Sequence, residues 1–252
     1  MHSKSHIPSG RVGVVGAGRL GGALARALAD AGVDVAGPLG RGELPRGCAA
    51  ILLCVPDAEI AAAAAAVSGA APLVGHTSGA TPLSALEPAN ADAFGLHPLQ
   101  TFARGDGPEA FEGAGCAVAG CTPAALAFAA DLARALGMTP FEIDEEGRAA
   151  YHAAASVASN FLVTLMAAAE RIAAGAGLEP AEARALLLPL VRRTLDNVAA
   201  LGPEDALTGP VARGDEATVA RQREAVADVA PELLDLFDEL VRRTHDLAAV
   251  RS

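Results

Sequence analysis

Val12-Gly13-Val14-Val15-Gly16-Ala17-Gly18-Arg19-Leu20-Gly21-Gly22-Ala23-Leu24-Ala25-Arg26-Ala27-Leu28 decides the fold. A strand-like apolar run leads into G-x-G-x-x-G, and the last of those glycines opens a helical pattern. Strand, glycine turn and helix start stand in the order a dinucleotide requires. Gly16 allows the tight turn, Gly18 lets the backbone approach a pyrophosphate, and Gly21 lets the helix pack close to its strand. Ala17, Arg19 and Leu20 complete the loop, and the free N–H groups at the helix start attract phosphate. Glycine turns also arise from packing alone. Here a second strand-like run, Val33-Asp34-Val35-Ala36, follows Asp30-Ala31-Gly32 and supplies the βαβ context.

Outward from this turn, residues 11–144 alternate strand-like and helix-like patterns. Strand-like runs lie at Ala49–Val55, Pro72–Gly75, Ala93–Leu96, Gly115–Ala119 and Thr139–Ile143, with helical stretches at Ile60–Val67 and Pro123–Leu136. Short apolar runs between helices predict a doubly wound, mostly parallel α/β sheet of the Rossmann type. From 145 to 252 only helical periodicity remains, which predicts an all-helical second domain. Its expected helices are Gly147–Ala174, Pro180–Leu201 with a disturbance at Pro189, Glu216–Val229 and Pro231–Val250. Residues 1–10 are polar and lack an apolar h-region, so they read as a disordered leader and not a signal peptide.

Composition narrows the function. The chain has 252 residues, net charge -11 and 3% aromatics. An acidic surface with few rings disfavours nucleic acid and anionic membranes. Four cysteines without C-x-x-C and no zinc-spaced histidine pair argue against a metal site and for reduced thiols in the cytoplasm. Ala149–Ala169 carries no charge and could span a bilayer by length. His152, Ser156, Ser159, Asn160 and Thr164 make it a poor span, so a buried helix of a soluble protein is the expectation.

Four constellations could carry chemistry. Arg41 lies in a glycine-flanked turn after the second strand, where an NAD site usually carries an acid. Its guanidinium could fork onto a 2′-phosphate, which favours NADP over NAD. Val55 and Pro56 end the third strand on the cofactor side. His76 and His97 lie at predicted strand ends, with Ser78 and Gln100 nearby, on the edge where open sheets bind ligands. His152, Ser156 and Asn160 stand at i, i+4 and i+8 on the long helix and share one face. Such a polar stripe meets water, ligand or other polar groups. Finally, Leu207–Asp215 holds Arg213, which could bind a substrate carboxylate, and Asp215, which could orient it or cap the next helix.

Together, Gly13–Gly22, Leu53–Asp57, His76–Gly79, His97–Phe102, Tyr151–Ala155 and Leu207–Asp215 resemble a bacterial family of Rossmann-like proteins with a C-terminal domain of unknown function. The resemblance implies an N-terminal NADP-binding domain, a helical half like that of 6-phosphogluconate dehydrogenase, and a homodimer built through that half. Ketopantoate reductase, pyrroline-5-carboxylate reductase and the β-hydroxyacid dehydrogenases are more distant relatives. Where ketopantoate reductase and β-hydroxyacid dehydrogenases use a helix lysine and an asparagine four residues later, this chain has Ser156 and Asn160. His152, one turn earlier, could replace the lysine as proton donor. Gly95-Leu96-His97-Pro98 is similar to the catalytic-histidine segment of prephenate dehydrogenases. The resulting expectation is an NADP-dependent oxidoreductase acting on a small polar C=O or C=N substrate, with His152 or His97 as acid/base. A dimer that binds NADP as a sensor or scaffold is the alternative.

Overall fold

The computed structural model describes residues 10–250. All but the last residue of the expected 1–10 leader therefore lies outside the described residues. The chain divides into two compact units, 1–157 and 158–252. The element types change near 144, but the first unit continues to Val157 and takes in the first helix of the helical half.

The first unit contains β1 (Val12–Val15), α1 (Arg19–Asp30), β2 (Val35–Leu39), β3 (Ala50–Leu53), α2 (Ile60–Ala66), β4 (Leu73–His76), β5 (Asp92–Pro98), β6 (Gly115–Gly120), α3 (Pro123–Ala135) and β7 (Thr139–Glu142). It ends in α4 (Arg148–Ala158). The strands form one sheet in the order β2-β1-β3-β4-β5-β6-β7. All neighbours pair in parallel except β5 and β6. The carboxyl ends of β1 to β5 consequently lie along one edge.

The sequence of β3 explains the layering. Ala50-Ile51-Leu52-Leu53 has no exposed side chain, as expected for a central parallel strand covered on both faces. Ala50 and Leu52 join Leu24, Leu28, Leu132 and Phe94 in one core; Ile51 and Leu53 join Ile60, Val74 and Leu86 in the other. The Phe94 ring lies where a Cβ on Gly75 of the neighbouring strand would be, and it meets Phe128 edge-on at 5.3 Å. Burial of each such large side chain stabilises the fold by about 1.5–3 kcal/mol. Pro38 sits in β2, an edge strand, where a missing N–H costs no ladder bond.

The second unit contains α5 (Asn160–Ala173), α6 (Pro180–Leu201), α7 (Pro203–Ala206), α8 (Glu216–Val229) and α9 (Leu234–Val250). Two forked ion pairs tie its helices. Arg184 donates to both Glu170 oxygens at 2.7 Å, and Arg223 to both Asp238 oxygens at 2.8 Å. Asp215 accepts from the Thr218 N–H at 3.1 Å and caps α8.

Two helix expectations need correction. Gly147–Ala174 is not one helix, because it breaks at Ser159 (φ -116, ψ -69) between α4 and α5. Ser156, Ser159, Asn160 and Thr164 are concentrated here, and such side chains compete for backbone groups. The Thr164 hydroxyl does so, donating to the Asn160 carbonyl at 3.3 Å. By contrast, α6 runs unbroken through Pro189. Pro189 and Ala185 are both exposed, so water can satisfy the carbonyl that the proline frees.

The turn between β1 and α1 is set by contact. A Cβ at Gly21 would overlap the Gly16 carbonyl oxygen, whereas a Cβ at Gly18 would meet nothing within 4 Å. Thermal unfolding should therefore separate them. Gly21→Ala is expected to lose about 1–3 kcal/mol, the usual cost of overpacking, while Gly18→Ala keeps wild-type stability to within about 0.5 kcal/mol.

Candidate functional site

β1 ends at Val15, and Gly16 turns the chain with φ +112, a conformation L side chains rarely adopt. A Cβ there would also strike the Cys54 carbonyl of the strand alongside. Gly18 is different. Its φ of -72 suits any residue, and no protein atom fills the space where its side chain would stand. Packing does not require this glycine, and the open space lies before the first turn of α1. That helix starts without a side-chain cap and without an acidic residue in its first turn, so its N–H groups are available to an anion.

The space continues into a cavity of about 490 Å³ lined by Gly16, Ala17, Gly18, Arg41, Val55 and Pro56, among others. Arg19, Leu20 and Gly21 begin α1 beside it. Cys54 also lines the cavity; burial pushes its thiol up to about 12, so it stays protonated. At the outer rim the exposed Arg41 guanidinium bridges both Glu59 oxygens at 3.1 and 3.2 Å. The Gly40 N–H donates to Glu43 at 2.6 Å. Exposed pairs of this kind are worth at most about 1 kcal/mol, so a doubly charged phosphate can displace them.

Further along the same sheet edge, β4 and β5 bring His76 and His97 to their ends, and the face of α4 with Arg148, Tyr151 and His152 meets them. Tyr151 OH lies 2.7 Å from His97 Nδ1. The His97 and His152 ring centroids are 6.1 Å apart. A Cβ on Gly79 would stand 2.8 Å from His97 Nε2, so this glycine leaves room for the ring. His76 is fully buried, and its Nδ1 accepts from the Ser78 N–H at 3.2 Å.

Burial sets the charge state. It pushes the His76 imidazole down to about 4, with the Arg148 charge acting in the same direction. It also pushes His97 down to about 4, helped by His152. Tyr151 is pushed up to about 12, again mainly by burial. At neutral pH the His97–Tyr151 pair is therefore uncharged. When the tyrosine donates to Nδ1, the imidazole carries its own proton on Nε2 and can donate it.

The structure gathers His76, His97 and His152, and gives other residues read from the sequence other partners or assigns them to the second unit. Ser78 is buried and committed to its own loop; its hydroxyl donates to Thr81 Oγ1 at 2.9 Å and accepts from the Ala80 and Thr81 N–H groups. Gln100 is exposed and accepts from the adjacent Thr101 N–H. Ser156 is half-buried on α4, but Asn160 lies beyond the break at Ser159 and is exposed. The three-residue stripe is thus not carried by one helix. Asn160, Arg213 and Asp215 belong to the second unit, where Asp215 acts as a helix cap. Sequence reading missed Arg148 and Tyr151. Their signal was the spacing, because Arg148 is four residues before His152 and is the charge at the edge of an otherwise uncharged run.

A family model described as Domain of unknown function (DUF2520) matches residues 114–244. No curated protein matches the chain in sequence. Among solved structures, a Bacteroides fragilis protein provisionally named an NADP oxidoreductase has a TM-score of 0.80 at 22% identity, covering 95% of this chain and 99% of that one. A Thermotoga maritima protein has a TM-score of 0.74 at 25% identity, with coverage of 95% and 99%. Plasmodium falciparum pyrroline carboxylate reductase with NADP bound has a TM-score of 0.61 at 13% identity, with coverage of 95% and 98%. The fold is that of Rossmann-like reductases with a helical C-terminal part.

The neutral histidines have a measurable consequence. Both titrate lower in the folded chain than the value of about 6.5 expected when unfolded, so the unfolded state takes up protons first as pH falls. Stability should be fully present above about pH 6.5 and decline toward pH 4. For the fully buried His76 the difference corresponds to about 3 kcal/mol. Imidazole NMR shifts of His76 and His97 should stay at their neutral values down to about pH 5. Titration of both rings near 6.5 would contradict this geometry.

Proposed function

We propose that this chain, which belongs to the DUF2520 family, is an NADP-dependent oxidoreductase that moves a hydride between nicotinamide and a small polar C=O or C=N substrate. The observation that carries the reading is the open space at Gly18, a glycine the protein's own packing does not need, at the mouth of a cavity sized for a nucleotide. In this reading the N–H groups opening α1 hold the pyrophosphate, Arg41 leaves Glu59 for the 2′-phosphate, and Val55-Pro56 flank the cofactor. Bound nicotinamide supplies the hydride.

The chain's own residues then handle the proton. His97, kept neutral by burial and oriented by Tyr151, is suited to hydrogen-bonding the reacting oxygen or nitrogen. His152, across from it on α4, is the proton carrier. Ser156, on the same helix as His152, is proposed to position the substrate, with His76, Ser78 and Gln100 at the substrate side. The buried His152 Nδ1, without a hydrogen-bond partner among the described residues, favours a site that takes a ligand over a scaffold.

Small keto acids and imines screened by NADPH absorbance test the reading. A turned-over substrate is expected, with a rate that falls 10²–10⁴-fold in His152→Ala. In cofactor titrations Arg41→Ala should lose about ten- to a hundredfold in NADPH affinity and nothing for NADH. Full NADPH preference in that variant would remove Arg41 from the site.

We also propose a homodimer through the helical half. Phe161, Val163 and Leu165 on α5 and Leu186, Leu190, Leu195 and Leu201 on α6 are exposed. The stretch 145–176 is long and apolar enough to cross a membrane, and none of its most apolar part is buried within the chain. His152, Ser156 and Asn160 and the break at Ser159 suit it poorly to lipid. A second copy, with the same apolar surface, is the occupant that covers it. Light scattering at micromolar concentration should give twice the chain mass; a stable monomer contradicts the proposal.

A further inference from the structure

The cavity at the glycine turn is suited to a polyanionic cofactor, yet the side-chain charge that lines it is negative. Among the described residues Arg41 is its one cation, and Glu43 and Glu59 are its carboxylates. A cavity of that balance repels phosphate beyond the reach of the α1 N–H groups.

Both carboxylates are engaged, and their partners are groups suited to a phosphate. β2 ends at Leu39, whose carbonyl accepts from the Gly16 N–H at 2.8 Å. The loop after β2 therefore starts beside the glycine turn. Its first N–H, on Gly40, donates to a Glu43 oxygen at 2.6 Å. Gly42, at φ +85, turns the chain back and lets Glu43 reach it. The Arg41 guanidinium is 87% exposed, and both oxygens of Glu59, the residue before α2, accept from it at 3.1 and 3.2 Å. An N–H and a guanidinium on consecutive residues make a donor pair of the kind that grips a phosphate. Two carboxylates of the chain itself stand in the acceptor's place. Glu43 is exposed and the Glu59 side chain is 45% exposed, so the fold does not depend on either contact.

We propose that Glu43 and Glu59 occupy the place of the cofactor's 2′-phosphate in the free chain, and by competing with it set how far the chain prefers NADP over NAD. This rests on the oxidoreductase reading and concerns cofactor selection at that same cavity. A 2′-phosphate takes Gly40 N–H and Arg41 only by displacing both carboxylates, whose negative charge also opposes its entry. NAD brings no such group and leaves both contacts in place. The two glutamates consequently weaken NADP and leave NAD unaffected.

The test is calorimetry of the full chain with adenosine 2′,5′-bisphosphate and adenosine 5′-phosphate, which differ only in the 2′-phosphate, at fixed ionic strength. Glu43→Gln and Glu59→Gln keep the side-chain shape and remove the charge. Each should bind the bisphosphate about two- to fivefold more tightly, and the double variant about tenfold, the range that exposed charge contacts command. Monophosphate affinity should stay at the wild-type value in all three. In an Arg41→Ala chain Glu59→Gln should gain less than about twofold, because Glu59 acts through Arg41. Bisphosphate affinity that is unchanged or lower in either single variant overturns the proposal. So does weaker monophosphate binding, which would make the carboxylate an acceptor for the ribose hydroxyls, and so does an undiminished gain without Arg41. The two readings fail separately. A chain that binds both nucleotides with no change in the glutamine variants loses only this proposal, whereas one that binds neither in any variant loses the cofactor reading as well.

Discussion

The Gly16 carbonyl oxygen occupies the place where a side chain on Gly21 would begin. This close approach lets α1 start directly over the end of β1, with its unpaired N–H groups facing the space at Gly18. The rest of the first unit is arranged around that contact. Buried Leu24 and Leu28 carry α1 onto one face of the sheet, and the parallel order of β1 to β5 brings the other ligand-facing strand ends to the same edge. The cavity exists because two glycines are required by packing and the one between them is not.

At the far end of that edge, burial governs the chemistry. A solvent-exposed imidazole exchanges its proton near neutral pH, but His76 and His97 are both held neutral by the groups around them. Arg148 adds a positive charge to the same enclosure and strengthens the effect. The cluster thus presents hydrogen-bond donors of fixed charge at physiological pH. In the proposed function, His97 held by Tyr151 orients the substrate and His152 moves the proton.

Much of this was legible in the sequence because it is local. A glycine turn between a strand and a helix is written in consecutive residues, and every strand run read from residues 11–144 has its counterpart in the sheet, with limits shifted by up to three residues. His76 and His97 could be placed at strand ends because the apolar runs stop beside them. The break at Ser159 was harder to read, since alanine-rich sequence continues across it and only clustered Ser, Asn and Thr oppose the helix. Pro189 erred the other way, because the carbonyl it frees, on Ala185, is exposed to water. Arg148 and Tyr151 were harder to read as site residues for a different reason, spacing being their one local signal. Their meaning comes from contacts with His76 and His97, more than fifty residues away, and from a burial that no local pattern records.

A crystal structure with NADP bound tests the central claim most directly. The pyrophosphate is expected over Gly18 within hydrogen-bond distance of the N–H groups that open α1, and Arg41 turned from Glu59 to the 2′-phosphate. Cofactor bound elsewhere, or no cofactor at millimolar concentration with the Gly18 space empty, would contradict it.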